Sequence, residues 1–120
     1  MAKILVVDNE PDTVELVKKI LEKEGYEVVP AFSGKEALSK NNREKPDLVL
    51  LDIMMPDLSG WDVYQRLRKK NPDAKVALLS IIEVSAERRK KLLDEGLSDY
   101  ILKPFTAKEL VDKVGAIVKP

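Results

Sequence analysis

The sequence predicts an α/β fold in which five parallel strands form one sheet and helices cover both of its faces. Short apolar runs alternate with longer amphipathic segments five times along the 120 residues. The runs lack the polar alternation of a strand with one face in water; residues 48–51, for example, are all apolar, which indicates burial on both faces. The connections are short, and short connections between alternating strands and helices imply right-handed crossovers and a parallel sheet.

Turn and cap residues set the helix boundaries in the first half of the chain. Pro11 suits the first turn of a helix, where its missing N–H costs nothing, and Gly25 ends that helix. Ser33 is the N-cap of a short second helix, and the polar residues 41–45 are predicted to form a connector after it. The predicted elements of this half are strands over residues 3–7, 26–30 and 48–51, a helix over residues 11–24 and the short helix after Ser33.

The same signals divide the second half. Ser59 caps the third helix, and the cations at residues 68–70 lie in its last turn, where they favour the helix dipole. Gly96 ends the fourth helix, and Thr106 with Glu109 forms a capping box at the start of the last one. The predicted elements of this half are strands over residues 75–80 and 99–102, helices over residues 61–70 and 85–95, and a last helix that begins at Thr106 and gives way to residues 118–120.

We expect these elements to form one domain over residues 1–120, without internal repeats, linkers or a separate effector domain. The flavodoxin-like, doubly wound sheet with strand order 2-1-3-4-5 is the expected topology at this length. No Gly-rich phosphate loop follows the first strand, which argues against a nucleotide-binding domain. Of the aromatic residues, Trp61 is predicted to take part in helix packing, and Phe32 and Phe105 are predicted to lie in the core.

The composition excludes several classes of function. The 21 basic and 21 acidic residues cancel, so neither nucleic acid nor an anionic membrane is favoured as a direct partner. The absence of Cys and His removes thiol chemistry, the commonest general base and the commonest transition-metal ligand. The remaining oxygen ligands suit a hard cation such as Mg²⁺. No signal-peptide pattern or membrane-spanning apolar stretch is present, and we expect a cytoplasmic protein.

Residues that carry chemistry stand at four strand ends. Asp8 and Asn9 follow the first strand, Asp52 the third, Ser80 the fourth and Lys103 the fifth. Open α/β sheets bind ligands beyond the carboxyl ends of their strands, so these side chains are expected to share one crevice. Crowded carboxylates repel each other, and such a cluster therefore favours a cation; Mg²⁺ needs only a few protein oxygens.

An aspartate beside Mg²⁺, a hydroxyl and a lysine is suited to attack phosphorus, because carboxylates are known nucleophiles that form aspartyl phosphates. The metal and Lys103 would neutralise charge on the phosphoryl oxygens, and Ser80 would donate a hydrogen bond to one of them. Two plainer interpretations remain open from the residues alone. Asp52 could end its strand by bonding backbone N–H groups, and Lys103 could be a surface lysine at a strand end.

Four segments, taken together and in order, closely resemble the receiver domain of two-component response regulators. They are residues 4–11, 48–60, 76–80 and 99–105. The resemblance extends over essentially the whole chain. It implies a regulatory domain that catalyses only its own phosphotransfer and dephosphorylation, with a sensor histidine kinase or a phosphotransfer protein as the donor.

The resemblance implies a role for each residue at the strand ends. Asp52 falls on the phosphoacceptor, and Lys103 falls on the lysine of the family pattern. Asp8 and Asn9 fall on the acidic pair that holds Mg²⁺, together with Asp52 and the backbone carbonyl of Met54.

The resemblance also implies a switch and a partner surface. Ser80 matches the hydroxyl that turns toward the phosphate, and Tyr100 matches the aromatic residue that changes rotamer with it. The face formed by the fourth helix, the fifth strand and the fifth helix is a common homodimer surface in the family. Asp99 and Lys113 are candidates for charge pairs across that surface.

Two positions depart from the family pattern. Asn9 stands where an acid is usual, so we expect weaker Mg²⁺ binding than in a typical receiver. Ile81 stands where Ala or Gly is usual, and its β-branched side chain is expected to narrow the path to Asp52. These departures leave open a degenerate receiver that acts by protein contact alone. A small Mg²⁺-dependent phosphatase with an aspartyl intermediate is the other alternative, although Met54 stands where that class would want a general acid.

Overall fold

The computed structural model describes residues 2–118, and in that part of the chain strands and helices alternate throughout. The strands are β1 (Lys3–Val7), β2 (Glu27–Ala31), β3 (Leu48–Asp52), β4 (Val76–Ser80) and β5 (Asp99–Leu102). The helices are α1 (Pro11–Lys23), α2 (Gly34–Glu44), α3 (Gly60–Lys70), α4 (Ala86–Asp94) and α5 (Ala107–Val118).

The strands form one parallel sheet in the order β2-β1-β3-β4-β5, which confirms the predicted flavodoxin-like topology. The chain reverses its direction of winding between β1 and β3. The register sets Val7 opposite Leu51 and Asp52 opposite Leu79. The carboxyl ends of the central strands therefore lie side by side at one edge of the sheet.

Two apolar layers bury the sheet. Alternate strand residues point to opposite faces, so Leu5 and Val7 pack with α2, α3 and α4 while Ile4 and Val6 pack with α1 and α5. These four side chains have no exposed surface. Full burial of a side chain of this kind stabilises the fold by about 1.5–3 kcal/mol, which explains why β1 and β3 are apolar on both faces.

Helix α2 is longer than expected, and the predicted connector over residues 41–45 was wrong. Ser33 is the N-cap, as predicted, and its Oγ accepts a hydrogen bond from the Glu36 N–H at 3.1 Å. The helix continues through residues 41–44 and ends where Lys45 takes a left-handed conformation, with a φ of 48°. Polar residues continue this helix because it packs only a narrow stripe, including Ala37, against the core.

Most other boundaries agree with the predictions to within one residue. β2 starts and ends one residue later than expected, and Ser85 is the N-cap of α4 rather than its first residue. The predicted capping box is present, since the Thr106 N–H donates to Glu109 Oε1 at 3.0 Å and the Glu109 N–H donates to Thr106 Oγ1 at 3.1 Å. Val118 is still helical, and the last two residues of the predicted end lie outside the described residues.

The aromatic residues follow the predictions only in part. Trp61 packs against the core from the first turn of α3, and the Arg88 guanidinium of α4 lies 5.6 Å from its ring centroid. Phe105 is half-buried against the layer that includes α5. Phe32 is 41% exposed, so its expected core position was wrong. It follows β2, an edge strand, where no element of the described chain lies further out in the sheet.

In the part of the chain that the structure describes, no helix combines the length and the apolar character that crossing a membrane requires.

Candidate functional site

Two aspartates lie together at the ends of the central strands. Asp8 directly follows β1, and Asp52 is the last residue of β3. Both carboxylates are buried, with 1% of Asp8 and 6% of Asp52 exposed. Neighbouring parallel strands end at the same edge, so the sheet itself brings together two acids that are far apart in the sequence.

Lys103 reaches both acids from the end of β5. Its Nζ lies 2.8 Å from Asp8 Oδ2 and 3.5 Å from Asp52 Oδ1, and 19% of its side chain is exposed. Its backbone N–H donates to the Ser80 carbonyl at 2.7 Å, which fixes the start of the side chain, and the peptide bond to Pro104 is cis. The interpretation of Lys103 as a surface lysine is therefore wrong.

The environment of Asp52 raises the pKa of its carboxyl. Burial is the largest cause, and the neighbouring charge of Asp8 adds to it. The Lys103 ammonium and the Met54 backbone N–H act in the opposite direction, because both favour the ionised carboxylate. Asp52 is thus more than a strand end that bonds nearby backbone.

Asp8 is held on both of its oxygens. Oδ1 accepts a hydrogen bond from the Glu10 backbone N–H at 3.0 Å, while Oδ2 faces Lys103. Two carboxylates and one ammonium give the cluster a net formal charge of −1. An excess of negative charge in a buried cluster favours a cation.

The side chains expected to form the switch meet at the backbone of Ile82. Ser80 is buried at the end of β4, and its Oγ accepts a hydrogen bond from the Ile82 N–H at 2.9 Å. Tyr100 is buried on β5, and its hydroxyl donates to the Ile82 carbonyl at 2.5 Å. The sequence did not single out Ile82, because a backbone link between two side chains leaves no residue-type signal.

The other candidate residues lie at the rim. Asn9 is exposed beside Asp8. Ile81 follows Ser80 and is 68% exposed, and Met54 is 57% exposed. These exposures set all three residues at the solvent side of the buried cluster.

The oxygen donors at this edge fit a hard cation. Within residues 2–118, no three His, Cys, Asp or Glu side chains lie close enough together to hold a metal ion. Asp8 and Asp52 supply two carboxylates, and the amide of Asn9 and the carbonyl of Met54 are neutral oxygens within two residues of them in sequence. Mg²⁺ accepts such a set, because it keeps several waters and needs only one or two carboxylates.

Glycine at position 60 allows the chain to turn back after Asp52. The Gly60 N–H donates to the Ile53 carbonyl at 2.7 Å, and a Cβ on Gly60 would lie only 2.6 Å from the Ile53 Cα. Any side chain here would push the start of α3 away from the end of β3. Asp57 lies between these two points, and its contacts were not foreseen from the sequence.

Asp99 and Lys113 pair within one chain. Lys113 Nζ lies 3.6 Å from Asp99 Oδ2, and Arg89 Nη2 lies 2.5 Å from Asp99 Oδ1. The charges expected to pair between copies are therefore already engaged between α4, β5 and α5 of the same molecule.

Comparison with known proteins gives one consistent family. The family model described as the response regulator receiver domain matches residues 4–115. The response regulator protein TrrA of Thermotoga maritima, solved in complex with Mg²⁺–BeF, superposes with a TM-score of 0.84 at 43% identity. That match covers 98% of this chain and 99% of TrrA.

Two curated relatives are longer proteins. The alkaline phosphatase synthesis transcriptional regulatory protein PhoP of Bacillus subtilis is 42% identical over 118 residues, which are 98% of this chain and 48% of PhoP. The probable transcriptional regulatory protein TcrX of Mycobacterium tuberculosis is 40% identical over 116 residues, which are 97% of this chain and 49% of TcrX. The chain thus spans about half the length of these relatives.

Proposed function

The chain belongs to the response regulator receiver domain family, and on that basis we propose that it is a phosphorylation switch whose phosphoacceptor is Asp52. One observation carries the proposal. The Asp52 carboxylate is buried at a strand end, 3.5 Å from an ammonium that also holds Asp8 at 2.8 Å. A nucleophile, a fixed cation and a second carboxylate in one crevice are suited to phosphoryl transfer.

The proposed transfer is a displacement at phosphorus. A carboxylate oxygen of Asp52 forms the new O–P bond, and the P–N bond of a phosphohistidine donor breaks, leaving its electron pair on the imidazole nitrogen. Lys103 neutralises charge on the transferring group, since its ammonium already lies beside Asp52. The Ser80 hydroxyl is buried at the neighbouring strand end and would donate to a phosphoryl oxygen.

The proposed cation is Mg²⁺, held by Asp8, Asn9, Asp52 and the backbone carbonyl of Met54. When bound, it would neutralise negative charge on the phosphoryl oxygens. The structure of TrrA with Mg²⁺–BeF supports this choice, as does the donor set of this chain, which contains oxygen ligands but no His or Cys.

Phosphorylation would then act on the two bonds that meet at Ile82. If the Ser80 hydroxyl turns to a phosphoryl oxygen, it releases the Ile82 N–H. The Tyr100 hydroxyl is bonded to the carbonyl of the same residue, so a shift of this backbone changes its position as well. The α4–β5–α5 surface, whose strand carries the buried Tyr100, is the proposed region that changes and forms a homodimer.

The proposed donor is a sensor histidine kinase or a phosphotransfer protein. The names of PhoP and TcrX support transcription as the regulated process. The zero net charge of this chain supports a role in which the receiver itself makes no direct contact with nucleic acid. The domain would be a regulatory module rather than an enzyme that acts on a separate metabolite.

The replacement of an acid by Asn9 favours one other candidate, a degenerate receiver that acts by protein contact alone. Intact-mass analysis after incubation with a small phosphodonor and Mg²⁺ separates the two. The switch predicts one added phosphoryl group, absent from Asp52→Asn and absent without Mg²⁺. No addition, under conditions that label an ordinary receiver, would contradict the phosphorylation switch and favour the degenerate receiver.

A further inference from the structure

The β3–α3 loop, residues 53–59, carries Met54 two residues after Asp52, and a backbone hydrogen bond joins the start of the loop to the start of α3. The Gly60 N–H donates to the Ile53 carbonyl at 2.7 Å. This bond holds the two ends of the loop together. The position of the middle of the loop depends on other contacts. Met55 and Leu58 pack against the core from this loop.

Asp57 fixes the middle of the loop to a different element. Its Oδ1 accepts a hydrogen bond from the Gly34 N–H at 3.0 Å, and its Oδ2 accepts one from the Lys35 N–H at 3.0 Å. Both donors belong to the first turn of α2. The two bonds lower the pKa of the Asp57 carboxyl, because backbone N–H groups favour its ionised form.

The close approach of the loop to α2 depends on a missing side chain. A Cβ on Gly34 would lie 2.7 Å from the Leu58 Cβ and 3.0 Å from Val63 Cγ2. Gly34 is buried in this contact. The contact of Leu58 with Gly34 and the two hydrogen bonds of Asp57 thus hold the same part of the loop against the start of α2.

We propose that Asp57 is a positioning residue, which holds the β3–α3 loop against α2 so that the backbone of Met54 stays aligned with Asp52. Its part in cation binding rests on the proposed function, where the Met54 carbonyl is a ligand. Met54 lies between the two fixed points, Gly60–Ile53 at the base and Asp57 at α2. Loss of the contact between Asp57 and α2 frees the backbone of Met54, whose carbonyl is the proposed ligand.

Helix capping alone does not account for Asp57. Helix α2 already has its own cap, because Ser33 Oγ accepts from the Glu36 N–H at 3.1 Å and Glu36 Oε1 accepts from the Phe32 N–H at 3.0 Å. Those bonds are local to the helix end. The bonds of Asp57 come from 22 and 23 residues away and join α2 to the segment that follows Asp52.

Ser33 therefore provides a matched control. Ser33→Ala removes a bond at the same helix terminus without touching the β3–α3 loop, whereas Asp57→Ala removes the bonds between helix and loop. Amide hydrogen exchange of residues 53–59 is measured first, in the absence of metal. Mg²⁺ affinity of both variants is then measured by calorimetry, with Asp57→Asn as an intermediate that keeps one acceptor oxygen.

The proposal predicts faster exchange across residues 53–59 in Asp57→Ala but not in Ser33→Ala. It also predicts that Asp57→Ala binds Mg²⁺ about tenfold more weakly, which is the lower end for groups that orient metal ligands, while Ser33→Ala keeps its affinity. The affinity of Asp57→Asn should lie between those of Ser33→Ala and Asp57→Ala. Unchanged exchange in Asp57→Ala, or equal changes in both variants, overturns it. If the natural chain binds no Mg²⁺, the cation part of the proposed function fails, and the exchange comparison still decides the positioning role.

Discussion

The ammonium of Lys103 lies 2.8 Å from a carboxylate oxygen of Asp8, although 95 residues separate the two in the sequence. This contact crosses the ends of β3 and β4 and joins β5 to β1 at the centre of the sheet. It leaves Asp52 as the second carboxylate that the same ammonium faces.

Lys103→Met is expected to destabilise the metal-free protein at neutral pH. The change leaves two buried carboxylates without a cation, and breaking a buried pair from one side costs about 3–5 kcal/mol. Because 19% of the Lys103 side chain is exposed, we expect about 2–3 kcal/mol. Urea unfolding in the presence of a chelator measures the difference.

Lys108→Met is the control for Lys103→Met. Lys108 Nζ also lies 2.8 Å from a carboxylate, that of Asp112, but this pair is on the surface of α5 with side chains 84% and 61% exposed. Solvent screens such a pair, and we expect little change in stability. Equal losses in the two variants would show that the burial of the Lys103 cluster has no energetic consequence.

Asp52→Asn is expected to stabilise the metal-free protein at neutral pH. The folded pKa of Asp52 is raised by burial and by Asp8, so the folded chain loses stability as pH rises from the unfolded pKa through the folded one. Removing the charge recovers about 1.4 kcal/mol for each unit of that rise. The advantage of Asp52→Asn should shrink on acidification and vanish below about pH 4, the ordinary Asp range. A stability gain of Asp52→Asn that grows toward low pH would contradict a raised pKa for Asp52.

Asn9→Asp is expected to strengthen Mg²⁺ binding. The added carboxylate returns one negative charge to the rim beside Asp8, and two unit charges 4 Å apart near a protein surface interact by roughly 4 kcal/mol. Since residue 9 is exposed, we expect a smaller gain of about tenfold in affinity. Calorimetric titration measures it. Glu10→Gln serves as the control, and a large loss there would mean that Glu10 already compensates for Asn9.

Ile81→Ala is expected to speed labelling of Asp52 by a small phosphodonor. The smaller side chain would widen the path to Asp52. Because 68% of Ile81 is exposed, the effect should be a few-fold, which corresponds to less than about 1 kcal/mol in the barrier. Labelling rates followed by intact mass test this. Ile82→Ala, which changes the next exposed side chain, is the control. Identical labelling rates in the natural chain and in Ile81→Ala would rule out steric gating by Ile81.

The sequence predicted the elements well wherever a local signal was present. Pro11, Ser33 and the Thr106–Glu109 pair begin helices as expected. The errors lie where local signals are ambiguous. Residues 41–44 are polar both in a connector and in a helix with a narrow buried stripe, and Phe32 is apolar whether or not another element covers its edge of the sheet.

The sequence by itself determined the alternating fold and the chemistry at the strand ends, because apolar runs, caps and terminal acids act through short-range preferences along the chain. Only the tertiary structure decided which distant groups meet. It seated Lys103 on Asp8, linked Ser80 to Tyr100 through the backbone of Ile82, and tied Asp57 to the start of α2. Such contacts depend on the packing of whole strands and helices and on backbone groups that nearly every residue has. A pattern of residue types therefore does not predict them.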